Sequence, residues 1–264
     1  MVFSFSLPIQ SIRRCRIYRI KMNSILVIAL VFLMAGAVKG ISGMGLPTIS
    51  MAMLSLLMLP AKAAMLMVIP SLLTNVTQCM GKHWRSLIKN HWVMWATLLL
   101  TTIFSPYSGL NIAGGHATLF LGLVLVAYGF WGLFKPTLPS FGNHKVFVGG
   151  IVGVLSGLVA AATGVFVIPM VPYLQSLKLS KEEFIQALGI SFIVGTIALT
   201  IRLGATNTKD WSSNLPEIVM AIIAAFIGMW IGARLRDKLN PIQFQRVLYT
   251  VFVLLGLLMT YRSI

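Results

Sequence analysis

Carboxylates are what this chain of 264 residues has least of: Glu182, Glu183, Asp210, Glu217 and Asp237 are its acidic residues, and none precedes position 182. Paired carboxylates for acid/base catalysis, an oxygen-rich cage for Ca²⁺ or Mg²⁺ and an intramembrane proton relay therefore have almost no material in the first two-thirds of the chain. Cysteine is almost missing as well. Cys15 and Cys79 make neither a disulfide framework nor a zinc spacing, and both read as small apolar side chains. His83, His91, His116 and His144 fall in expected loops or helix ends without the spacings that hold zinc, so no metal is expected. No G-x-S-x-G elbow, P-loop or dinucleotide fingerprint occurs, so the chain is not expected to be an enzyme or an ATP-driven pump by itself.

Charge as a whole is scarce. Only 10% of residues are charged and 58% are apolar, against about 25% charged in an average soluble domain. That is too little to cover a globular surface, and the apolar runs from Asn23 onward have the length of about 20 residues that a bilayer core demands of a helix. Lipid is the expected solvent. The net charge of +16 does not point to nucleic acid, because Lys and Arg mostly sit in short segments between apolar runs, the positive-inside pattern. Arg13, Arg14, Arg16, Arg19 and Lys21 make a basic tail expected to stay cytoplasmic against anionic lipid heads. Tail, apolar stretch and Ala35-Gly36-Ala37 resemble a cleaved signal peptide, but the apolar character resumes after Lys39 and runs to Pro60.

Eight apolar units follow: 23–59, 61–80, 92–105, 117–134, 146–174, 184–203, 215–233 and 247–260. The first and fifth exceed one crossing and carry Gly, Ser or Thr and Pro near their middles, so each reads as a broken helix. An offset of about 120 residues brings Ser42-Gly43 onto Thr163-Gly164 and Ser71-Leu72 onto Ser191-Phe192, with Pro47 one position from the counterpart of Pro169. The expected fold is therefore all-α: about eight transmembrane helices in two related four-helix repeats, a common way to build transporters. The organisation expected is a tail over 1–22, repeats over 23–134 and 146–262, and a cytoplasmic linker over 135–145. With each unit counted as one crossing, thirteen basic residues face the cytoplasm and seven face outward. Four of those seven cluster as Arg234, Arg236, Lys238 and Arg246. Either the last two units do not cross as drawn, or Arg234, Arg236 and Arg246 line a vestibule that steers anions.

Lys39 to Pro47, deep in the first unit, is the leading candidate site. A glycine-rich break frees backbone N–H groups that lipid cannot satisfy, and the helix restarting near Pro47 points its positive end at whatever fills the gap. Lys39 costs about 2.5 to 3.5 kcal/mol inside an apolar span unless a partner, water or a bound anion offsets it. The second break, with Thr163, Gly164 and Pro169, keeps the hydroxyl and the glycine but carries Ala160 opposite Lys39. If the breaks face each other, Ser42, Gly43, Gly45, Thr163 and Gly164 together grip an oxyanion; close helix packing through small residues is the alternative. Ser71, Thr74, Asn75 and Gln78 follow i, i+3, i+4, i+7 spacing on one polar helix face, which suits either a cavity or interhelical hydrogen bonding.

The paired breaks, Lys39-Gly40-Ile41-Ser42-Gly43-Met44-Gly45-Leu46-Pro47 and Gly157 to Pro169, with Asn75 and the closing Gly232 to Arg246 stretch, resemble those of the sulfite exporter TauE/SafE family. The resemblance implies a multi-pass bacterial inner-membrane carrier of sulfite, sulfonates or related organosulfur anions with no organic cofactor. Its partners are then a small anionic substrate and the lipid bilayer, with a homo-oligomer left open. A non-transporting membrane assembly subunit is the alternative. The family's breaks are richer in glycine, whereas Met44 and Leu46 interrupt the first here and Val165, Phe166 and Val167 fill the second.

Overall fold

The computed structural model of the protein describes residues 9–106, 110, 116–134, 141–204 and 214–263. Among the described residues there are ten α-helices and no strand. These are α1 (Ile9–Ser42), α2 (Leu46–Ser55), α3 (Pro60–Cys79), α4 (Trp84–Phe104), α5 (His116–Phe134), α6 (Lys145–Thr163), α7 (Met170–Ser176), α8 (Lys181–Gly204), α9 (Leu215–Arg236) and α10 (Pro241–Ser263). Six are long and apolar enough to cross a membrane by length and composition: α1 over Ser24–Ser42, α5, α6, α8, α9 and α10. Leu30, Leu123, Phe147, Ile223, Trp230 and Leu254 lie exposed on their outer faces, an arrangement suited to lipid.

The first and fifth units are broken as expected, at Gly43–Gly45 and at Gly164–Pro169. Gly43 and Gly164 take φ of +79° and +73°, the left-handed region that side chains disfavour, and each ends a long helix. What happens beyond the break differs from the expectation of one net crossing per unit. Lys39 meets Thr74 and Asn75, and Gly43 meets Gln78, so α1 and α3 run in the same direction. Two parallel helices joined by one short segment require that segment to travel back. The chain therefore turns at Gly43 and returns through α2 before α3 starts.

Packing directions extend this scheme. Gly36 faces Ala225 and Gly40 faces Met229, so α1 and α9 run parallel; a β-carbon at Gly40 would fall on the α9 backbone, which explains the small residues along this seam. Gly149 and Gly153 against Met94, and Gly157 against Leu98, place α6 parallel to α4. Ser71 opposite Thr196 and Gln78 opposite Gly189 make α3 and α8 antiparallel. Gly122 opposite Thr260 and Gly129 opposite Tyr249 do the same for α5 and α10. It follows that α6 opposes α1. The start of α6 and the start of the apolar part of α1 thus lie at opposite ends, while residues 135–140 of the expected linker lie outside the described residues. The cluster Arg234, Arg236, Lys238 and Arg246 also loses its isolation, since Lys82, Arg85, Lys89, Lys145, Lys178 and Lys181 lie at the same end of the molecule.

Candidate functional site

Lys39 is 2% exposed, three residues before the end of α1, and no carboxylate among the described residues pairs with it. Its ammonium donates instead to Thr74 Oγ1 at 3.1 Å and to Asn75 Oδ1. Asn75 Nδ2 donates to Ser71 Oγ at 3.2 Å, and Ser71 lies 3.3 Å from Thr196 Oγ1 on α8. Gln78 Nε2 donates to Gly43 O at 2.6 Å. The polar stripe expected on α3 is thus one network that ties the end of α1 to α8. Neutral acceptors leave the lysine charge uncancelled, and a buried uncancelled ammonium attracts an anion strongly because little solvent screens it.

The two breaks are built alike. Ser42 Oγ donates within reach of Val38 O and Met44 O, at 2.8 and 2.7 Å, and accepts from Met44 N at 3.3 Å. Thr163 Oγ1 donates within reach of Val159 O and Val165 O, at 2.7 and 3.3 Å, and accepts from Val165 N at 3.2 Å. Gly43 N donates to Lys39 O and Gly164 N to Ala160 O, both at 2.8 Å. The correspondence of Ser42-Gly43 with Thr163-Gly164, and of Lys39 with Ala160, therefore holds bond for bond. The hydroxyls build the turns themselves.

The breaks are not brought together. Gly43 lies beside Gln78 and Ile185, whereas Gly164 lies beside Met51 and Ala64. Ala64 and Gln78 are roughly four turns apart on α3, about 21 Å, so a seat shared by Ser42 and Thr163 does not form. The break at Gly164 is also dry: Val165, Phe166 and Val167 are fully buried, and the Phe166 ring centroid sits 5.6 Å from that of Phe192. Phe166 lies against Gly195, filling space that the polar network occupies in the first half. Gly45 and Pro47 open α2, with Gly45 at φ +109° as its N-cap, and Pro169 precedes α7.

A pocket of about 190 Å³ opens at the first break, lined by Ser42, Gly43, Lys181, Ile185, Arg236 and Phe244 among others. Arg236 holds its roof by donating to Gly40 O at 2.6 Å and to Ile41 O at 3.1 Å, the last carbonyls of α1, where the helix dipole is negative. Of the three vestibule candidates, Arg236 lies at this mouth. Arg234 stacks over the Trp230 ring at 4.2 Å, and Arg246 is exposed on α10 outside the lining.

Three contributors escaped the sequence reading. Trp95 Nε1 donates to Ser191 Oγ at 2.8 Å, Tyr128 OH donates to Met44 Sδ at 3.4 Å, and Gln186 accepts from His83 N at 3.1 Å. A lone aromatic or amide in an apolar run carries no period that singles it out. Arg202, near the end of α8, donates to Thr102 O and Ser105 O at the end of α4. No three His, Cys, Asp or Glu side chains gather among the described residues.

Six helices long and apolar enough to cross a membrane, with no strand among the described residues, define a multi-pass helical membrane protein. The profile of the family described as Sulfite exporter TauE/SafE matches residues 28–259, and the chain belongs to that family. Comparison with curated proteins and with solved structures found no match.

Proposed function

We propose that the protein is a secondary carrier of small anions, namely sulfite, sulfonates or related organosulfur anions, that exports them across a bacterial inner membrane by alternating access. Lys39 carries the reading: a buried ammonium held by Thr74 and Asn75, with no carboxylate among the described residues to neutralise it, one helical turn before the break whose Ser42 and Gly43 line a pocket with Lys181 and Arg236 at its edge. Ser42, Gly43, Gly45 and Pro47 shape this seat, and Asn75 orients the charge. Thr163, Gly164 and Pro169 form the matching hinge of the other half, outside the seat. An inside-negative potential drives a monoanion outward with about 2.3 kcal/mol per 100 mV, so export needs no coupled ion.

Eight crossing helices in two repeats, 23–134 and 146–262, are supported by a packing pattern that survives exchange of the halves. The pair α1 and α9 corresponds to α6 and α4, while α3 with α8 and α5 with α10 pair with their own counterparts. Counterparts run antiparallel, the mark of repeats related by an axis in the membrane plane, and transporters of that kind rock one half against the other around a central seat. The start of the apolar part of α1 and the start of α6 then meet opposite faces.

The test is radiolabelled sulfite and sulfoacetate flux in proteoliposomes with the potential clamped. Saturable flux in the wild type that falls roughly tenfold or more in Lys39→Ala is expected, since a charge-assisted hydrogen bond contributes about 1.5 to 3 kcal/mol. Wild-type rates in the variant would remove Lys39 from the mechanism, and no flux of either anion through the wild type would sink the carrier reading for these substrates.

A further inference from the structure

The network around Lys39 is satisfied except at two points, and their chemistry is complementary to a restricted class of anion. An ammonium has three N–H donors, and Lys39 uses two, on Thr74 Oγ1 and Asn75 Oδ1. One donor is left over. Gln78 spends its amide N–H on Gly43 O, which assigns the amide orientation, and its Oε1 is then a buried acceptor with no partner. Gln78 stands one turn beyond Thr74 and Asn75 on the same face of α3, a spacing that puts β-carbons about 5 to 6 Å apart. Gly43, the residue that Gln78 holds, lines the mouth pocket, whose volume of about 190 Å³ equals that of about six waters.

A simple oxyanion answers the lysine and leaves the amide oxygen stranded, because it has acceptors only. A buried acceptor without a donor costs about 1 to 3 kcal/mol. A molecule that joins an anionic oxygen to an O–H group answers both.

We propose that Lys39 and Gln78 together select monoanions that carry an O–H donor beside the anionic group, such as the hydrogen form of sulfite or a hydroxylated short-chain sulfonate, over anions that only accept. This rests on the carrier reading above and narrows its substrate. Lys39 receives the anionic oxygen, and Gln78 Oε1 accepts the hydroxyl hydrogen while its N–H keeps the Gly43 turn closed. Sites built to hydrogen-bond a hydroxyl discriminate strongly against analogues lacking one, because the protein group is then left unpaired.

The experiment is inhibition of radiolabelled sulfite flux in proteoliposomes, at one pH, by 2-hydroxyethanesulfonate and by ethanesulfonate. The two competitors are monoanions of nearly the same size that differ by one hydroxyl. The hydroxylated competitor is expected to inhibit at a concentration roughly tenfold lower with the wild type, and the ratio is expected to fall to within about twofold in Gln78→Met. Equal inhibition of the wild type by both, or inhibition by neither while sulfite flux persists, overturns the selectivity and leaves the carrier standing. A ratio that survives in Gln78→Met with sulfite flux retained takes the role away from Gln78. Absence of sulfite flux in the wild type overturns the carrier reading and the selectivity with it.

Discussion

Lys39 is held by Thr74 and Asn75 on α3, and its partners are neutral. This choice keeps the charge available. A carboxylate in either place would hold the ammonium in an ion pair and cancel, permanently, the charge that draws a substrate anion. Asn75→Asp is therefore expected to leave the thermal midpoint in detergent at or above that of the wild type while sulfite flux falls roughly tenfold or more, the effect of losing one charge-assisted hydrogen bond to the substrate. A variant that transports normally with a carboxylate against Lys39 would show that the lysine is structural. Lys39 and the stripe Ser71, Thr74, Asn75 and Gln78 were readable because polar groups in an apolar run stand out and the spacing puts them on one face. Trp95 and Tyr128 were not, because their apolar bodies blend with the run and their polar tips find partners only across helix interfaces.

At the scale of the element, the two breaks share a hydroxyl that bonds backward four residues and forward two, followed by a glycine in the left-handed region. The turn requires both. Gly164→Ala is expected to destabilise by about 1 to 2 kcal/mol through its backbone conformation, with a further loss because the added β-carbon would lie 2.9 Å from Met51 Cε. Gly142 shares a positive φ but has nothing within 4 Å of the position a β-carbon would take. Thermal unfolding of Gly164→Ala and Gly142→Ala side by side should show the larger fall for Gly164, and equal falls would deny the packing of that break against α2. The offset of about 120 residues revealed the counterparts, because glycine, hydroxyl and proline punctuate a helix visibly. That the chain doubles back at each break was hidden, because a helix that kinks and continues uses the same residues as one that kinks and returns.

For the whole molecule, that doubling back sets which loops share a face. The start of α6 lies at the end opposite to the start of the apolar part of α1, and α10 ends on the α1 side, since it opposes α5 and follows α9 after a four-residue turn, Asp237–Asn240. In a background with Cys15 and Cys79 replaced, a cysteine at Gly142 and one at Ser263 are expected to react with a membrane-impermeant maleimide from opposite sides, in spheroplasts for one and in inverted vesicles for the other. Labelling of both from one side would restore one net crossing per broken unit. The same geometry gathers Lys82, Lys145, Lys181 and Arg236 at one end of the molecule, where Lys181 and Arg236 line the pocket at the first break.

Composition alone determined the solvent, the helical class and the poverty of acid chemistry, because burying charge in lipid is too costly for a chain to disguise. Local spacing determined the breaks, their kinship and the lone lysine. Tertiary structure alone decided that the breaks lie about four turns apart along α3 and do not form one seat, that Phe166 fills the second, and that Gln78 leaves an acceptor open one turn beyond the residues that hold Lys39. Those facts depend on which helix lies against which and in what direction, and long-range packing of near-uniform apolar helices leaves little trace in the order of residues.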